Sequence, residues 1–333
     1  MRLIRRDIPH LAEVRRITEK KRDAWWTVLL VDPVATPLVR QLAMRTRITP
    51  NQITWGAFLL GLVSAACFAL GDWRWLVAGA VIYHVSFIFD CMDGKLARLT
   101  GQGSVFGAWL DFVFDRIRVA VCAVALMAGQ YQRSGETLYI WLALAVVGLD
   151  TLRYINSLEI FKIRHSMRKQ IKSRLREARR AENQAELAFM EDLLRDNPEA
   201  DIEQDMQKAE AVVGAETAEG AETAEIAEGA TAAPSPQVID LQREFRHRFP
   251  AYLRMRSWLL RHRIRPHLVS GIEFQMGVFI IGPLLDAVVE ATVVSGVLIL
   301  VFELAIIYKL LLSTRDFTRT IDSFERDAVA KAA

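Results

Sequence analysis

Asp90 and Asp93 are three residues apart, and Asp111 and Asp115 are four apart, so each pair falls on one face of a helix. Ala97 follows Asp93 by one turn, and Gly107 precedes Asp111 by one turn. Two helices joined by a short connection would aim all four carboxylates at one another. Such a cluster repels itself, and burial penalises every ionised member. Either several carboxylates carry protons or cations sit among them. Ligation by oxygen alone suits Mg²⁺, Mn²⁺ or Ca²⁺ rather than zinc. Two divalent ions would neutralise the cluster and could clamp a diphosphate. Gly94, Ala97 and Gly107 leave room beside it for a bulky ligand, and Arg98 adds a fixed cation suited to phosphate.

The elements that carry these residues are apolar. The chain of 333 residues is 52% hydrophobic, and its net charge is only +3, so no global basic field is present. The apolar residues cluster in blocks. A span of about 20 apolar residues crosses a bilayer core. Six spans are expected, at about 53–70, 75–91, 112–128, 138–155, 274–289 and 293–312. The predicted fold is therefore an all-α integral membrane protein with six transmembrane helices. Gly282-Pro283 predicts a kink in the fifth. Thr49-Pro50-Asn51 reads as a cap followed by proline at the first helical position. Residues 26–46, interrupted by Pro33 and Pro37, read as an N-terminal interfacial amphipathic helix. Trp25, Trp26, Trp73, Trp75 and Trp141 read as interfacial anchors, and Gly61, Gly71 and Gly79 as points of close helix contact. His84 and the three cysteines read as packing residues.

Lysine and arginine are sorted by loop. They crowd the segment before the first span, the loops after the second and fourth, and the C-terminal tail. This predicts a multi-pass membrane protein with both termini and the Asp90–Asp115 region on the cytoplasmic side. The expected organisation is a juxtamembrane segment over 1–50, spans one to four over 51–160, a cytoplasmic insert over 161–265, spans five and six over 266–314, and a tail over 315–333. Within the insert, a basic helix leaves the membrane and an acidic helical stretch follows over 184–211. The Ala/Glu/Gly repeat at 212–236 reads as a disordered linker. Residues 239–265 mix basic and aromatic side chains next to the membrane, which predicts anionic headgroups and no nucleic acid. No cleavable leader is expected.

Read in order, the residues D-x-x-D-G-x-x-A-R from Asp90 to Arg98, eight residues from Leu99 to Phe106, and G-x-x-x-D-x-x-x-D from Gly107 to Asp115 resemble the signature of the CDP-alcohol phosphotransferases at every fixed position. The resemblance extends to the six-span hydropathy and to Thr49–Thr54. It does not cover the long insert. It implies attack by an acceptor hydroxyl on the β-phosphorus of a CDP-alcohol, release of CMP and formation of a phosphodiester. It implies that Asp90, Asp93 and Asp111 ligate metal, that Asp115 ligates metal or acts as general base, and that Gly94, Ala97, Arg98 and Gly107 surround the CDP group. The donor would be CDP-diacylglycerol or a CDP-polyol made elsewhere, and the protein a homodimer. Arg116 and Arg153 are candidates for an acceptor phosphate, or else pair with carboxylates. The stretch Lys21–Val39 resembles the corresponding segment of members that form inositol-phosphate diesters. Two other classes use the same residues differently: a metal-dependent membrane phosphodiesterase or phosphatase with water as acceptor, and a non-catalytic membrane scaffold.

Overall fold

The structure, a computed structural model, describes residues 8–181, 250–266 and 268–332. The acidic stretch and the linker at 212–236 lie outside the described residues. The described residues are helical and contain no strand beyond an isolated backbone bridge between Asp23 and Ile264. In chain order the helices are α1 (Leu11–Thr18), α2 (Asp32–Arg45), α3 (Pro50–Ala69), α4 (Trp73–Thr100), α5 (Val105–Ser134), α6 (Leu138–Ala181), α7 (Pro250–Arg261), α8 (Gly271–Leu284) and α9 (Val288–Ala332).

The chain forms two compact units. One comprises Met1–Ile155 with Arg254–Leu304, and the other Asn156–Leu253 with Ala305–Ala333. The second buries Ile160, Met167, Ile171, Ile306 and Leu312. The first contains all four aspartates.

Among the described residues four helices are long and apolar enough to cross a membrane: Pro50–Ala69, Trp73–Thr100, Leu138–Arg174 and Val288–Ser323. Two of the six expected spans fall short for different reasons. α5 has 30 residues, but Asp115, Arg116 and Arg118 interrupt its apolar run. α8 is a short apolar helix that stops at Leu284. The kink expected at Gly282-Pro283 is thus a helix end, and Asp286 follows with a positive φ of 49°.

Helix ends follow local chemistry. Thr49 accepts a bond from Gln52 N–H while the Gln52 side chain accepts from Thr49 N–H, closing a capping box at the start of α3. α4 runs on past the span expected to end at Cys91. Nothing breaks it before Gly101, whose φ of 66° suits glycine. At about 1.5 Å per residue its 28 residues reach about 42 Å, beyond the roughly 30 Å of hydrocarbon. Ser104 then caps α5 by accepting from Gly107 N–H.

Two π turns share one cause. A proline lacks an N–H and its ring crowds the carbonyl four residues earlier. The turn Thr27–Val31 precedes Pro33, and Gly277–Ile281 precedes Pro283. In each, the residue before proline bonds five residues back, Asp32 to Thr27 and Gly282 to Gly277. The wider loop gives the crowded carbonyl room.

α3, α4 and α5 pack at close quarters. Ser64 donates to the Gly79 carbonyl and Ser86 to the Ala57 carbonyl, so hydroxyls join helices α3 and α4 directly. A Cβ on Gly79 would lie 2.6 Å from Phe68. Gly71 turns the chain with a φ of 73°, and a Cβ there would lie 2.4 Å from the Gly129 carbonyl oxygen. Leu29, Leu30, Val34 and Leu38 leave one side of the 27–45 segment apolar and exposed. Trp73, Trp75 and Trp141 are exposed, but Trp26 is not an anchor. It is buried edge-on against His84, and Trp25 donates its indole N–H to the Leu268 carbonyl. Tertiary packing claims both rings.

Candidate active site

α4 and α5 form a helical hairpin. It brings Asp90 and Asp93 from one arm, and Asp111 and Asp115 from the other, to a shared cavity of about 260 Å³. Asp93 is buried and accepts a 2.5 Å hydrogen bond from the Thr54 hydroxyl of α3. Gly94 and Arg98 also line the cavity. A Cβ on Gly94 would meet only the Arg98 guanidinium, at 3.6 Å, so this side is open. Ala97 and Gly107 are not part of the wall. The space beside Gly107 belongs to Asn51, whose side-chain oxygen would lie 2.7 Å from an added Cβ.

Two arginines hold the far side of the carboxylates. Arg118, 2% exposed, donates from Nη2 to Asp115 Oδ1 at 2.6 Å and from Nη1 to Asp90 Oδ1 at 3.1 Å. Arg116 pairs with the other Asp115 oxygen and with Asp150 of α6. The side-chain amide of Gln275, on α8, donates to Asp150 at 2.9 Å. Arg153 lies away from the cavity wall and pairs with Glu303 at 2.5 Å.

Among the described residues no three Asp, Glu, His or Cys side chains converge on one ion-sized point. The reason is visible in the pairing: Asp90 and Asp115 lean toward guanidinium groups. Asp93 and Asp111 have no ion pair among the described residues. Two of the cavity's cations are committed to other carboxylates. Lys95 pairs with Asp32 at 2.7 Å, and Arg265 with Asp23 at 3.2 Å. Lys20 and Arg98 also line the cavity, but six aspartates against four cations leave the wall net acidic, and Asp93 and Asp111 offer hard carboxylate oxygens. That donor chemistry fits a hard divalent cation.

Residues 47–176 match the profile of the CDP-alcohol phosphatidyltransferase family. The chain is similar to the archaetidylinositol phosphate synthase of Pyrococcus horikoshii, 39% identical over 82 residues, which are 25% of this chain and 42% of that protein. It is similar to the phosphatidylinositol phosphate synthase of Cutibacterium acnes, 30% identical over 135 residues, 39% of this chain and 58% of that one. It is also similar to the bifunctional IPC transferase and DIPP synthase of Thermococcus kodakarensis, 34% identical over 109 residues, 32% of this chain and 24% of that one. The match thus covers less than two thirds of each relative. Together the family and the apolar helices make this an integral membrane protein.

The matched residues 47–176 do not build the cavity alone. Thr18, Lys20, Asp23 and Asp32 precede them, and Arg265 and Gln275 follow them, yet all line the wall. The two outside segments are joined. Asp23 N–H donates to the Arg263 carbonyl and Arg265 N–H to the Asp23 carbonyl, each at 2.9 Å. Arg263 also bonds Glu19 at 2.6 Å and Asp32 at 3.2 Å. Sequence reasoning missed these wall residues, along with Thr54, Asp150 and the role of Arg118. Asp150 and Arg118 did carry a signal, because an ionisable residue inside an apolar span is costly and needs a partner. Thr54, Asp23 and Arg265 carried none, because their partners are remote in sequence.

Proposed function

We propose that this protein transfers a substituted phosphate from a CDP-alcohol to the hydroxyl of an acceptor, releasing CMP. The observation that carries the reading is one cavity lined by all four aspartates of a complete family signature. The family and the names of the relatives favour CDP-diacylglycerol or a similar lipid donor and an inositol-phosphate-type acceptor, with a CDP-polyol donor as the broader alternative.

The roles follow from position. Asp90, Asp93, Asp111 and Asp115 hold two divalent ions, Mg²⁺ or Mn²⁺, which when bound supply neutralising charge at the diphosphate. Asp115 also takes the proton of the acceptor hydroxyl, a poor nucleophile at neutral pH. Each carboxylate oxygen has two lone pairs, so its bonds to Arg116 and Arg118 leave acceptor capacity. The hydroxyl oxygen bonds to the β-phosphorus, the bond from that phosphorus to the bridging oxygen breaks, and CMP leaves. Gly94 and Arg98, which line the cavity, border the CDP group; Ala97 and Gly107, outside its wall, are assigned to it on the signature alone. Arg116 and Arg153, neither of which lines the cavity, are the candidates for the acceptor phosphate, the alternative being that they serve only to pair with carboxylates. Each is held by carboxylates, Arg116 by Asp115 and Asp150 and Arg153 by Glu303, and a phosphate would share them.

The membrane arrangement belongs to the same proposal. Six helices traverse the bilayer, with α5 and α8 added to the four long apolar helices. The 27–45 segment lies in the interface on its exposed leucines. The active site and both termini face the cytoplasm, residues 161–265 form a cytoplasmic insert, and the protein is a homodimer.

The test is a matrix of CDP-donors against acceptors with purified full-length protein, reading CMP. Release that depends on CDP-diacylglycerol together with inositol phosphate supports the reading. CMP released at the same rate without any alcohol makes the protein a phosphodiesterase. No release with any pair makes it a scaffold.

A further inference from the structure

Among the described residues Arg118 is the largest fully buried side chain, and no fixed position of the family signature includes it. Taking a guanidinium out of water costs several kcal/mol, roughly, unless well-placed acceptors compensate. Arg118 has them. Its two terminal nitrogens reach Asp90 and Asp115, and Nη1 lies 3.4 Å from the Ser86 hydroxyl. Its charge lies 5.9 Å above the ring of Tyr83. Its stem has a slot of its own: a Cβ on Gly61 would come within 2.6 Å of both Cγ and Cδ. The side chain is thus fixed at its root by α3 and at its tip by one acid from each arm of the hairpin. It follows Asp115 by three residues, so it lies one turn deeper on the Asp111–Asp115 stripe.

We infer that Arg118 is a permanent countercation and positioning residue of the aspartate site, locking Asp90 to Asp115 and restraining the site's affinity for divalent cations. This rests on the proposed function, since it assigns a regulator to that same metal site. The physical argument is direct. A fixed positive charge touching two of four ligands competes with any other cation for their oxygens. Its fork also sets the distance between α4 and α5 at the height of the acids. The site gains a defined shape and loses part of its attraction for metal.

The experiment measures Mn²⁺ binding to purified full-length protein by electron paramagnetic resonance, without substrate, beside turnover with saturating metal. R118Q is expected to bind Mn²⁺ at least about tenfold more tightly, because a unit charge removed at this range in a partly buried site changes an equilibrium by that order or more. Its kcat should fall about a hundredfold while KM for the donor moves less than threefold. R118K keeps the charge and loses the fork, so its Mn²⁺ affinity should stay near that of the original protein while kcat falls. G61A displaces the Arg118 stem and touches no acid; it should shift both readouts in the direction of R118Q. It also serves if R118Q fails to fold. A merely structural arginine would leave Mn²⁺ affinity unchanged or weaken it in the folded variants, and either result overturns the inference. If the original protein binds no Mn²⁺, the proposed metal site fails with it. If it binds Mn²⁺ and turns over, but R118Q or G61A matches its affinity, only the role of Arg118 fails.

Discussion

Lys95 and Asp32 offer a way to measure how firmly α4 is tied to the segment that precedes residues 47–176. Lys95 occupies a variable position of the signature, yet both it and Asp32 are buried, 2.7 Å apart. Removing one member of a buried pair typically costs about 3–5 kcal/mol, because the other charge is stranded. The two single substitutions should not be equal. K95M leaves Asp32 with Arg263 at 3.2 Å, so the loss should sit near the low end, about 2–3 kcal/mol. D32N leaves the Lys95 ammonium with the Thr36 hydroxyl at 3.2 Å as a neutral acceptor, and should cost about 3–5 kcal/mol. The double variant strands neither charge and should cost less than the sum by at least about 1.5 kcal/mol. Helical circular dichroism followed through a denaturing-detergent titration in mixed micelles gives all three values. Equal single losses that simply add would refute the reasoning, since they would mean the two charges do not interact in the fold.

Three further outcomes are expected. D115N should abolish alcohol-dependent CMP release while the protein remains in the membrane fraction and elutes as a single species; normal turnover would remove Asp115 from the mechanism. T54V deletes the 2.5 Å donor to Asp93, and a hydrogen bond to a charged group is worth about 1.5–3 kcal/mol, so transfer at limiting metal should drop at least about tenfold. Rates equal to the original at every Mn²⁺ concentration would contradict it. A chelator should stop CMP release and added Mg²⁺ or Mn²⁺ should restore it, whereas full turnover in metal-free buffer would exclude the two-ion reading.

What could be read from the chain was local. The spacing of Asp90, Asp93, Asp111 and Asp115 placed each pair on one helical face, and one cavity receives all four. Thr49-Pro50 announced a helix start, and the capping box is there. Helix ends were less legible where apolar content was the guide. α4 continues past Cys91 because Met92 to Thr100 contains no proline and its single glycine, Gly94, is tolerated inside the helix, although the stretch is too polar to count as a span. α5 was expected to cross on its apolar half, but the four charged residues in its first half, Asp111, Asp115, Arg116 and Arg118, depress its hydropathy. Arg116 shows the limit of reading a cation from sequence. Its neighbour Asp115 was evident, but Asp150 is 34 residues away, and only packing decides which carboxylates it meets. Trp26 misled for a related reason, since an aromatic beside a charged stretch resembles an anchor until a histidine from another helix covers it.

The clasp between Asp23 and residues 263–265 has a practical consequence for anyone trimming this protein. A truncation drawn at the limits of the family match, 47–176, would keep every signature residue and discard Lys20, Asp23, Asp32, Arg265 and Gln275. Such a fragment would present its acids on an open shelf where water and ions wash past. Expression tags, cleavage sites and fusions belong ahead of Leu11, so that the first and last parts of the vessel stay fastened together.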